Sequence, residues 1–457
     1  MSKGNPLFLY NSLTRRKEEF RPQAKTVNLY TCGPTVYDYA HIGNLRTFVF
    51  YDVLERTLEF LGYSVHRVMN ITDVGHLTSD ADEGEDKMDK AAAREHKSVE
   101  DLINLYTDAF QQDLQKLNVK IPAELPRASQ NMPAQIELVK ILLAKGFAYD
   151  TPEAVYFDTT KFPTYGHLSG QSLAEKTTGA RAEVNTQTSK KHPTDFALWF
   201  KRVGRFKTHL QHWPAPWGEG FPGWHVECSA LIKKFLGQPI DLHAGGVDHI
   251  GTHHENELAQ SEAAYGVPLA KVWLHAEHLI INDSRMAKSA GSFYTLTDAE
   301  SRGFNPLALR YLYLQSHYRS KLNFTWESLG AAETGWARLV TAAWPTKDQK
   351  SSPELTAGFK SNLADDLNTP GALALLANQP NYRLLNILGL MPKSLPNQAV
   401  PLSELPAPVG GLVRQREQAR ANQQFKQSDA LRKKIETLGY LVEDTPEGPR
   451  VYWRSQI

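Results

Sequence analysis

The first hydrophobic pattern along the chain predicts a strand, a helix and a second strand in succession. Apolar and β-branched residues alternate over Thr26–Thr31, which ends at the turn-forming Cys32-Gly33-Pro34. Apolar residues then recur at helical spacing over 45–61, and Gly62 is typical of a helix end. A β-rich run follows at 63–71. Strand–helix–strand units almost always close right-handed with parallel strands, so we expect a parallel sheet here.

Predicted strands and helices alternate again after a segment that is interrupted by prolines and glycines. Residues 80–119 are charged and helix-prone, and 122–193 is interpreted as an insertion with short β-like pieces. Further strands are predicted at 196–200, 240–243 and 271–281, and further helices at 225–235 and 253–265. Two α/β halves around an insertion predict a doubly wound, parallel-sheet (Rossmann-like) domain of the α/β class. Ligands of such sheets bind at the carboxyl ends of the strands, where the strand order reverses.

The last third of the chain is predicted to be helical and free of strands. Apolar residues recur at helical spacing over 307–313, 331–343, 372–390 and 414–438, with a proline-rich linker at 392–408. The resulting division is 1–121 for the first half of the α/β domain, 122–194 for the insertion, 195–281 for the second half, 282–325 for a loop and stem region, and 326–457 for a helical C-terminal region.

Composition narrows the class of protein without identifying it. The 457 residues are 41% hydrophobic and 22% charged, which is ordinary for a globular protein and unlike disordered or fibrous chains. The formal net charge of +1 excludes general coating of nucleic acid by a polycation, but not a local basic patch. Two cysteines exclude a disulfide-rich scaffold. The lack of a signal peptide and of a long apolar run leads us to expect a cytoplasmic protein with no membrane span.

Four scattered side chains are candidate metal ligands. Cys32 follows the first strand, Cys228 lies near the start of a predicted helix, and His253 and Glu257 project from one face of another helix. All of these elements begin or end at the same edge of the predicted sheet. Two thiolates, an imidazole and a carboxylate are a plausible set for Zn²⁺. Spacing alone leaves open that the cysteines are buried hydrophobes and that His253 and Glu257 lie on a solvated face.

Two short motifs far apart in the chain resemble nucleotide-binding signatures. The first, at 40–44, lies at a strand-to-helix turn, where backbone amides and the helix dipole favour phosphate. The second, at 285–289, lies in a polar loop after a later strand. In this order they resemble the HIGH and KMSKS signatures of class I aminoacyl-tRNA synthetases. The matching residues are Pro34, Thr35, Tyr37, His41 and Asn44 for the first signature and Arg285, Met286, Ala287, Lys288 and Ser289 for the second.

Longer blocks resemble one family of that class, the cysteinyl-tRNA synthetases, along nearly the whole chain. The blocks lie at 30–38, 70–73, 223–229, 243–248, 253–257 and 317–320. The resemblance implies a Rossmann-like catalytic domain and a helical anticodon-binding region at 326–457. It also implies one zinc ion per chain, held by Cys32, Cys228, His253 and Glu257.

The resemblance assigns roles to further residues. ATP, bound with Mg²⁺, is expected at His41, Gly43, Asn44 and Lys288, and the cysteine substrate at Thr72, Trp224, His243 and Asp248. Taken singly, Trp224 and His243 would be read as core residues. The sequence departs from the family pattern at Asn44, at Ala287 and at Ala244, which replaces a glycine. We expect these departures to alter rate or ATP affinity without abolishing activity.

The family likeness implies activation of L-cysteine by ATP to cysteinyl-adenylate and transfer to the 3′ end of tRNA(Cys). Zinc would select the substrate thiolate, because packing alone separates near-isosteres by only about 10–200-fold. A basic stripe near the C-terminus is predicted to contact RNA phosphates. Its members are Arg414, Arg416, Arg420, Lys426, Arg432, Lys433 and Lys434.

Two other functions stay open at this point. A cysteine–amino-sugar ligase of the mycothiol pathway uses the same adenylate chemistry and zinc site, although such ligases typically lack the full C-terminal region. A catalytically silent paralogue could act as an RNA-binding module, although the retained His41 and Lys288 argue against it. The partners expected for a synthetase are tRNA(Cys), ATP and L-cysteine, with the chain acting as a monomer away from membranes.

Overall fold

The computed structural model describes most of the chain, and its elements are numbered in chain order. It covers residues 6–75, 86–122, 124–171, 189–281, 284–285, 293–393, 395, 399–400, 402–403, 405–438, 440–445 and 448–453. The described strands are β1 (Phe8–Asn11), β2 (Arg16–Glu19), β3 (Thr26–Thr31), β4 (Ser64–Met69), β5 (Ala148–Asp150), β6 (Ala154–Phe157), β7 (Phe196–Lys201), β8 (Gly220–Pro222), β9 (Ile240–Gly246), β10 (Ala270–Ala276), β11 (Leu279–Ile281), β12 (Ser284–Arg285), β13 (Leu322–Phe324), β14 (Ala399–Val400), β15 (Tyr440–Thr445) and β16 (Gly448–Trp453). The described helices are α1 (Ile42–Phe60), α2 (Lys87–Glu95), α3 (Val99–Lys116), α4 (Met132–Ala144), α5 (Trp224–Phe235), α6 (His253–Tyr265), α7 (Leu296–Ser301), α8 (Pro306–Leu314), α9 (Trp326–Ala343), α10 (Pro353–Ala364), α11 (Thr369–Asn378), α12 (Tyr382–Ile387), α13 (Ala407–Ala421) and α14 (Phe425–Thr437).

A parallel sheet joins the two predicted α/β halves. Four of the described strands form it in the order β10-β9-β3-β4, and every neighbouring pair in it is parallel. Strand β9 is buried along its whole length, as is typical of parallel strands covered on both faces. The first half of the chain (β3, β4) therefore meets the second half (β9, β10) between β3 and β9. This confirms the predicted fold class and places the ligand edge of the sheet at that junction.

Helix α1 connects β3 to β4 and begins with a capping box. The His41 side chain accepts a hydrogen bond from the Asn44 backbone N–H, and the Asn44 side chain accepts one from the His41 N–H. The apolar face of the helix, with Leu45, Val49 and Leu58, is buried in the main core. The helix ends at Phe60, two residues before Gly62, as predicted.

The insertion contains an antiparallel sheet that includes a strand assigned elsewhere from the sequence. Strand β7 was predicted for the second α/β half, but it pairs antiparallel with β6 and β8. That assignment was wrong because β7 is an uninterrupted apolar run, and such a run does not reveal its pairing partner. Its aromatic side chains pack in a separate core, in which the Phe157 and Phe196 rings stack at 4.9 Å.

The C-terminal region is mainly helical, but strands occur in it. The prediction of no strand beyond residue 305 was wrong, since β13 pairs with β11 and three described strands form a sheet in the order β14-β16-β15. The predicted helix at 372–390 is divided between α11 and α12, and the one at 414–438 between α13 and α14. Among the described helices, none combines the length and hydropathy needed to cross a membrane.

One member of the predicted basic stripe is internal. Arg416 is buried and forms a bidentate pair with Asp444, with both N–O distances 2.8 Å. Arg420 and Arg432 contact the same carboxylate at 2.9 and 3.0 Å. The prediction was therefore wrong for Arg416, because it ties α13 to β15 and does not face RNA. The other members, at 414, 426, 433 and 434, are exposed.

Asp113 on α3 gives a pH-dependent stability prediction. Burial raises its pKa to about 7, with Lys116 opposing the rise and Glu300 adding to it. The folded chain thus holds this proton more tightly than the unfolded chain does, so stability falls as the pH rises from about 4 to 7. We expect Asp113→Asn to be more stable than wild type at pH 8, by about 1–3 kcal/mol, with a smaller difference at pH 5. Urea unfolding at both pH values checks this, and a variant less stable than wild type at pH 8 would contradict it.

Candidate metal centre and active-site cavity

The four predicted metal ligands converge at the ligand edge of the parallel sheet. Cys32 directly follows β3, Cys228 lies in the second turn of α5, His253 begins α6, and Glu257 follows one turn later. One ligand atom from each side chain lies within 4.8 Å of the other three. All four residues are buried. The structure therefore brings together side chains that are far apart in sequence.

Histidines hold the Glu257 carboxylate in place from two sides. Glu257 Oε1 lies 2.8 Å from His253 Nε2, and Oε2 lies 2.9 Å from His243 Nε2. The other ring nitrogen of His253, Nδ1, lies 3.1 Å from His225 Nδ1. His243 therefore lies behind Glu257 and, within the described part of the chain, is not among the residues that line the cavity. Its predicted contact with the cysteine substrate gains no support from this position.

The electrostatics of the cluster suit a metal ion. Burial raises the pKa of Cys32 well above its ordinary value. Burial also acts to raise the pKa of Cys228, but hydrogen bonds from Cys32 and His253 lower it below the ordinary value. Burial opposes a charged His253, yet the Glu257 carboxylate and Cys228 raise its pKa to about 10. Buried protons thus stabilise the site, and a divalent ion would replace them on binding.

The donor set fits zinc. Two thiols, one imidazole and one carboxylate match the ligand types and number that proteins use for Zn²⁺, which can also expand to five-coordinate. A second set of four shares Cys32 and Glu257 but uses His243 and His254. Cys32, Cys228 and His253 line the adjacent cavity, whereas His243 and His254 do not lie among its described lining residues. The first set is thus the one that a bound molecule can reach.

The sequence analysis missed a series of hydrogen-bonded, buried histidines next to Cys32, on its side away from the cavity. His254 Nε2 lies 3.2 Å from the Cys32 sulfur, and its Nδ1 lies 2.8 Å from His275 Nε2. His275 Nδ1 in turn lies 2.7 Å from the Ser12 hydroxyl. Only the adjacency of His254 to His253 could have pointed to this group. These contacts orient Cys32 from the side away from the cavity, as hydrogen-bonding groups behind the ligands do at metal sites.

A cavity of about 310 Å³ opens in front of the cluster and collects most of the predicted site residues. Both halves of the chain contribute to it. The predicted residues that line it, besides the three metal-ligand candidates, are Pro34, Thr35, Tyr37, His41, Asn44, Thr72, Trp224 and Asp248. Gly43 lies between His41 and Asn44 in the first turn of α1.

The N-terminus of α1 borders this cavity, with the Ile42 N–H paired to the Tyr294 carbonyl and the Asn44 N–H to the His41 ring. His41 and Asn44 both line it, and their reciprocal capping bonds fix the turn. A helix N-terminus carries partial positive charge, which favours a phosphate. The departure of Asn44 from the HIGH pattern has a physical account here, because its side chain closes the capping box.

The loop that carries Cys32 packs directly on the strand end after β4. A Cβ at Gly33 would lie 1.6 Å from the Asn70 carbonyl oxygen, so only glycine fits. The Asn70 side chain accepts from the Gly33 N–H at 2.8 Å and donates to the Thr72 hydroxyl at 2.8 Å. Thr72 then donates to Glu227 Oε2 at 2.9 Å. One hydrogen-bonded chain therefore sets the position of Cys32 against the cavity wall.

Thr72 provides a test of this chain of hydrogen bonds. Thr72→Val keeps the shape but removes the hydroxyl, which leaves the buried Asn70 and Glu227 groups without this partner. Such a loss costs about 1–3 kcal/mol, so we expect kcat/KM for cysteine to fall about 5- to 150-fold. Steady-state pyrophosphate exchange measures it, and Thr72→Ser, which retains the hydroxyl, is the matched control. Equal losses in both variants would contradict the account.

The second signature falls outside the described residues. Met286, Ala287, Lys288 and Ser289 are not described, and Arg285 is described only as backbone, in β12, paired with Ile280 of β11. The predicted contact of Lys288 with ATP therefore stays a prediction.

Comparisons with known proteins identify the family of both the catalytic and the C-terminal regions. Residues 19–334 match the family described as the tRNA synthetases class I (C) catalytic domain, and residues 402–454 match the cysteinyl-tRNA ligase anticodon binding domain. The solved structure of Mycobacterium tuberculosis methionyl-tRNA synthetase in complex with methionyl-adenylate superposes with a TM-score of 0.55 at 15% identity. That superposition covers 80% of this chain and 82% of that one, and it supports the fold. The match over residues 19–334, together with the fold, places this chain among the class I aminoacyl-tRNA synthetases.

Curated relatives are similar to this chain over nearly its whole length and theirs. Cysteine–tRNA ligase 1 of Burkholderia lata is 43% identical over 463 residues, which cover 98% of this chain and 97% of the relative. A cysteine–tRNA ligase of Thermus thermophilus is 42% identical over 486 residues, covering 98% and 99%. The chain belongs to the cysteinyl-tRNA synthetase family, and it is accordingly an ATP-dependent ligase.

Proposed function

We propose that the chain activates L-cysteine with ATP to give cysteinyl-adenylate and pyrophosphate, and then transfers the cysteinyl group to the 3′ end of tRNA(Cys). Cys32, Cys228, His253 and Glu257 would hold a zinc ion, which would supply a coordination position for the substrate sulfur. One observation carries this proposal: three of the four buried donors line the same cavity as His41 and Asn44. The groups proposed to bind the substrate thiol and the phosphates therefore line the same cavity.

The residues of the chain position the reactants for a direct displacement. The substrate carboxylate attacks the α-phosphorus of Mg·ATP, so positioning and charge stabilisation supply the catalysis. The first turn of α1, with His41 and Asn44, donates hydrogen bonds to the phosphoryl oxygens. Asp248 lines the cavity with a carboxylate that is 56% exposed and suits the ammonium group of an amino acid. Lys288 is proposed to neutralise the leaving pyrophosphate.

Selection against serine needs more than shape, because the two side chains differ by one atom. Packing discriminates near-isosteres by only about 10–200-fold. A bound zinc ion supplies a coordination position that favours a thiolate over a hydroxyl. The Trp224 ring lies over the His253 imidazole, with 4.2 Å between the centroids, and holds that ligand at the cavity wall. The anchored Cys32 loop forms the opposite side.

The C-terminal region is proposed to bind the anticodon of tRNA(Cys). The match to an anticodon binding domain at 402–454 supports this over the cysteine–amino-sugar ligase. The assembled donor cluster and cavity likewise disfavour a silent RNA-binding paralogue. A monomeric state and a cytoplasmic location belong to the same proposal.

Cysteine-dependent ATP–pyrophosphate exchange, followed by charging of tRNA(Cys), tests the proposal. We expect exchange with cysteine and little with serine, and we expect loss of exchange after removal of the metal by a chelator and recovery with zinc. Charging of tRNA should accompany exchange. Exchange without charging would indicate the amino-sugar ligase, and a chain with neither activity would contradict both enzyme functions.

A further inference from the structure

An exposed aromatic side chain stands at the mouth of the active-site cavity. Tyr39 lines the cavity, yet 47% of it is exposed to solvent. It precedes His41 by two residues, so its backbone lies at most about 7 Å from the phosphate-binding turn of α1. None of the roles assigned above uses this ring.

Tyr39 belongs to a closed circuit of contacts that links its ring, through Tyr106, to its own backbone N–H. The ring meets Tyr106 of α3 edge-to-face, with 5.0 Å between centroids and an interplanar angle of 89°. The Tyr106 hydroxyl donates to Glu95, which pairs with Arg94 at 2.8 Å. Arg94 lies 3.7 Å from Asp38, and Asp38 accepts a hydrogen bond from the Tyr39 N–H at 2.8 Å. The circuit thus returns to Tyr39 after five residues.

This circuit prearranges an exposed ring, which lowers the cost of using it to bind a ligand. Ordering a side chain on binding costs affinity, and a ring that is already fixed avoids that cost. Tyr106 is itself buried, so the support beneath the ring is part of the folded core. A fixed aromatic surface beside a phosphate-binding turn suits a nucleotide base, because base–aromatic stacking is worth about 1–3 kcal/mol per base.

We propose that Tyr39, supported by Tyr106, is a stacking platform for an adenine base at the mouth of the cavity. The inference rests on the proposed function in one respect: both nucleotide substrates of that reaction carry adenine. ATP carries it directly, and tRNA carries it as the terminal adenosine that receives the amino acid. Stacking requires the ring of Tyr39 and not its hydroxyl, so phenylalanine should replace it and alanine should not.

Equilibrium binding to the full chain tests the platform independently of catalysis. The probes are a non-hydrolysable ATP analogue and two RNA hairpins that share one stem and end in CCA or in CC. We expect wild type to bind the ATP analogue or the terminal adenosine at least about fivefold more tightly than Tyr39→Ala does, because about 1 kcal/mol of stacking energy is about fivefold in affinity. Tyr39→Phe should remain within about twofold of wild type.

The two probes distinguish the source of the base. Loss of affinity for the ATP analogue alone assigns the platform to ATP, and loss of the difference between the CCA and CC hairpins assigns it to tRNA. Leu210→Ala removes another exposed apolar side chain, which is not among the described lining residues of the cavity, and is the matched control. The proposal is overturned if neither probe loses more than twofold in Tyr39→Ala, or if Tyr39→Phe loses as much as Tyr39→Ala. Because binding is measured without turnover, a chain that fails to exchange pyrophosphate contradicts the proposed function and still tests the platform.

Discussion

The Cys228→Ser variant is expected to lose its bound zinc and at least about a hundredfold of its cysteine-dependent pyrophosphate exchange. Loss of groups that merely orient metal ligands typically costs 10–100-fold, and Cys228 is a direct ligand in this account. The variant keeps the size of the side chain, but a serine hydroxyl is a much poorer zinc ligand than a thiolate. The Cys228 sulfur lies in a buried cluster with Cys32, His253 and Glu257 at the cavity wall, and Cys228 belongs to only one of the two described donor sets.

Metal analysis and exchange on the same sample check this result. Ser229→Ala is the matched control, because Ser229 is the next residue on α5, is also buried, and donates to the Glu257 backbone carbonyl and not to the carboxylate. It should retain zinc. A Cys228→Ser protein that is folded, holds one zinc per chain and exchanges at the wild-type rate would contradict the assignment.

Replacing Asp52 by alanine is expected to destabilise the chain by about 3–5 kcal/mol, the usual cost of removing one partner of a buried ion pair. Asp52 on α1 contacts Arg310 on α8, and both side chains are fully buried. Asp52 also pairs with Arg56 at 2.7 Å. Arg310 donates further to the Leu388 and Leu117 carbonyls at 2.8 and 2.9 Å. The pair thus connects the HIGH-like helix to the C-terminal helices, and the single variant leaves the Arg310 charge buried without its main partner.

The double variant Asp52→Leu with Arg310→Met separates charge from packing. Replacing both partners by apolar groups of similar size is often neutral or stabilising, so we expect it to unfold at higher urea concentration than Asp52→Ala. Urea unfolding of both variants and wild type measures the difference. A single variant within about 1 kcal/mol of wild type, or a double variant less stable than the single one, would contradict this account of the pair.

Elements with a clear apolar periodicity of their own could be predicted from the sequence. The strand β3, helix α1 and strand β4 carry period-2, helical and period-2 apolar patterns in turn, and the structure confirms all three. The partner of β7 could not be predicted, because an apolar run fits a buried strand in either sheet. The hairpin of β15 and β16 was missed because the whole C-terminal region was expected to be helical, although Tyr440 and Val442 of β15 are buried at alternate positions, as in a strand.

Some residues of the candidate site could likewise be predicted from the sequence, and others could not. Spacing alone could not favour a metal over buried cysteines and a solvated helix face, and only the resemblance to a family favoured the metal. The structure then brings ligand atoms of the four predicted residues within 4.8 Å of one another. The roles of His254 and His275 could not be read from the chain, because each depends on a neighbour from a distant element. Arg416 shows the reverse case, in which a charge predicted to face RNA as part of a basic helical stripe is buried against Asp444.

X-ray absorption of the zinc-loaded chain, with and without L-cysteine, tests the central claim most directly. The two protein cysteines should give two sulfur neighbours at about 2.3 Å from zinc. Adding L-cysteine should raise the sulfur count to three, and adding L-serine should leave it at two. A count that stays at two when cysteine is bound, or a zinc ion with no sulfur neighbours, would contradict selection of the substrate by its thiolate.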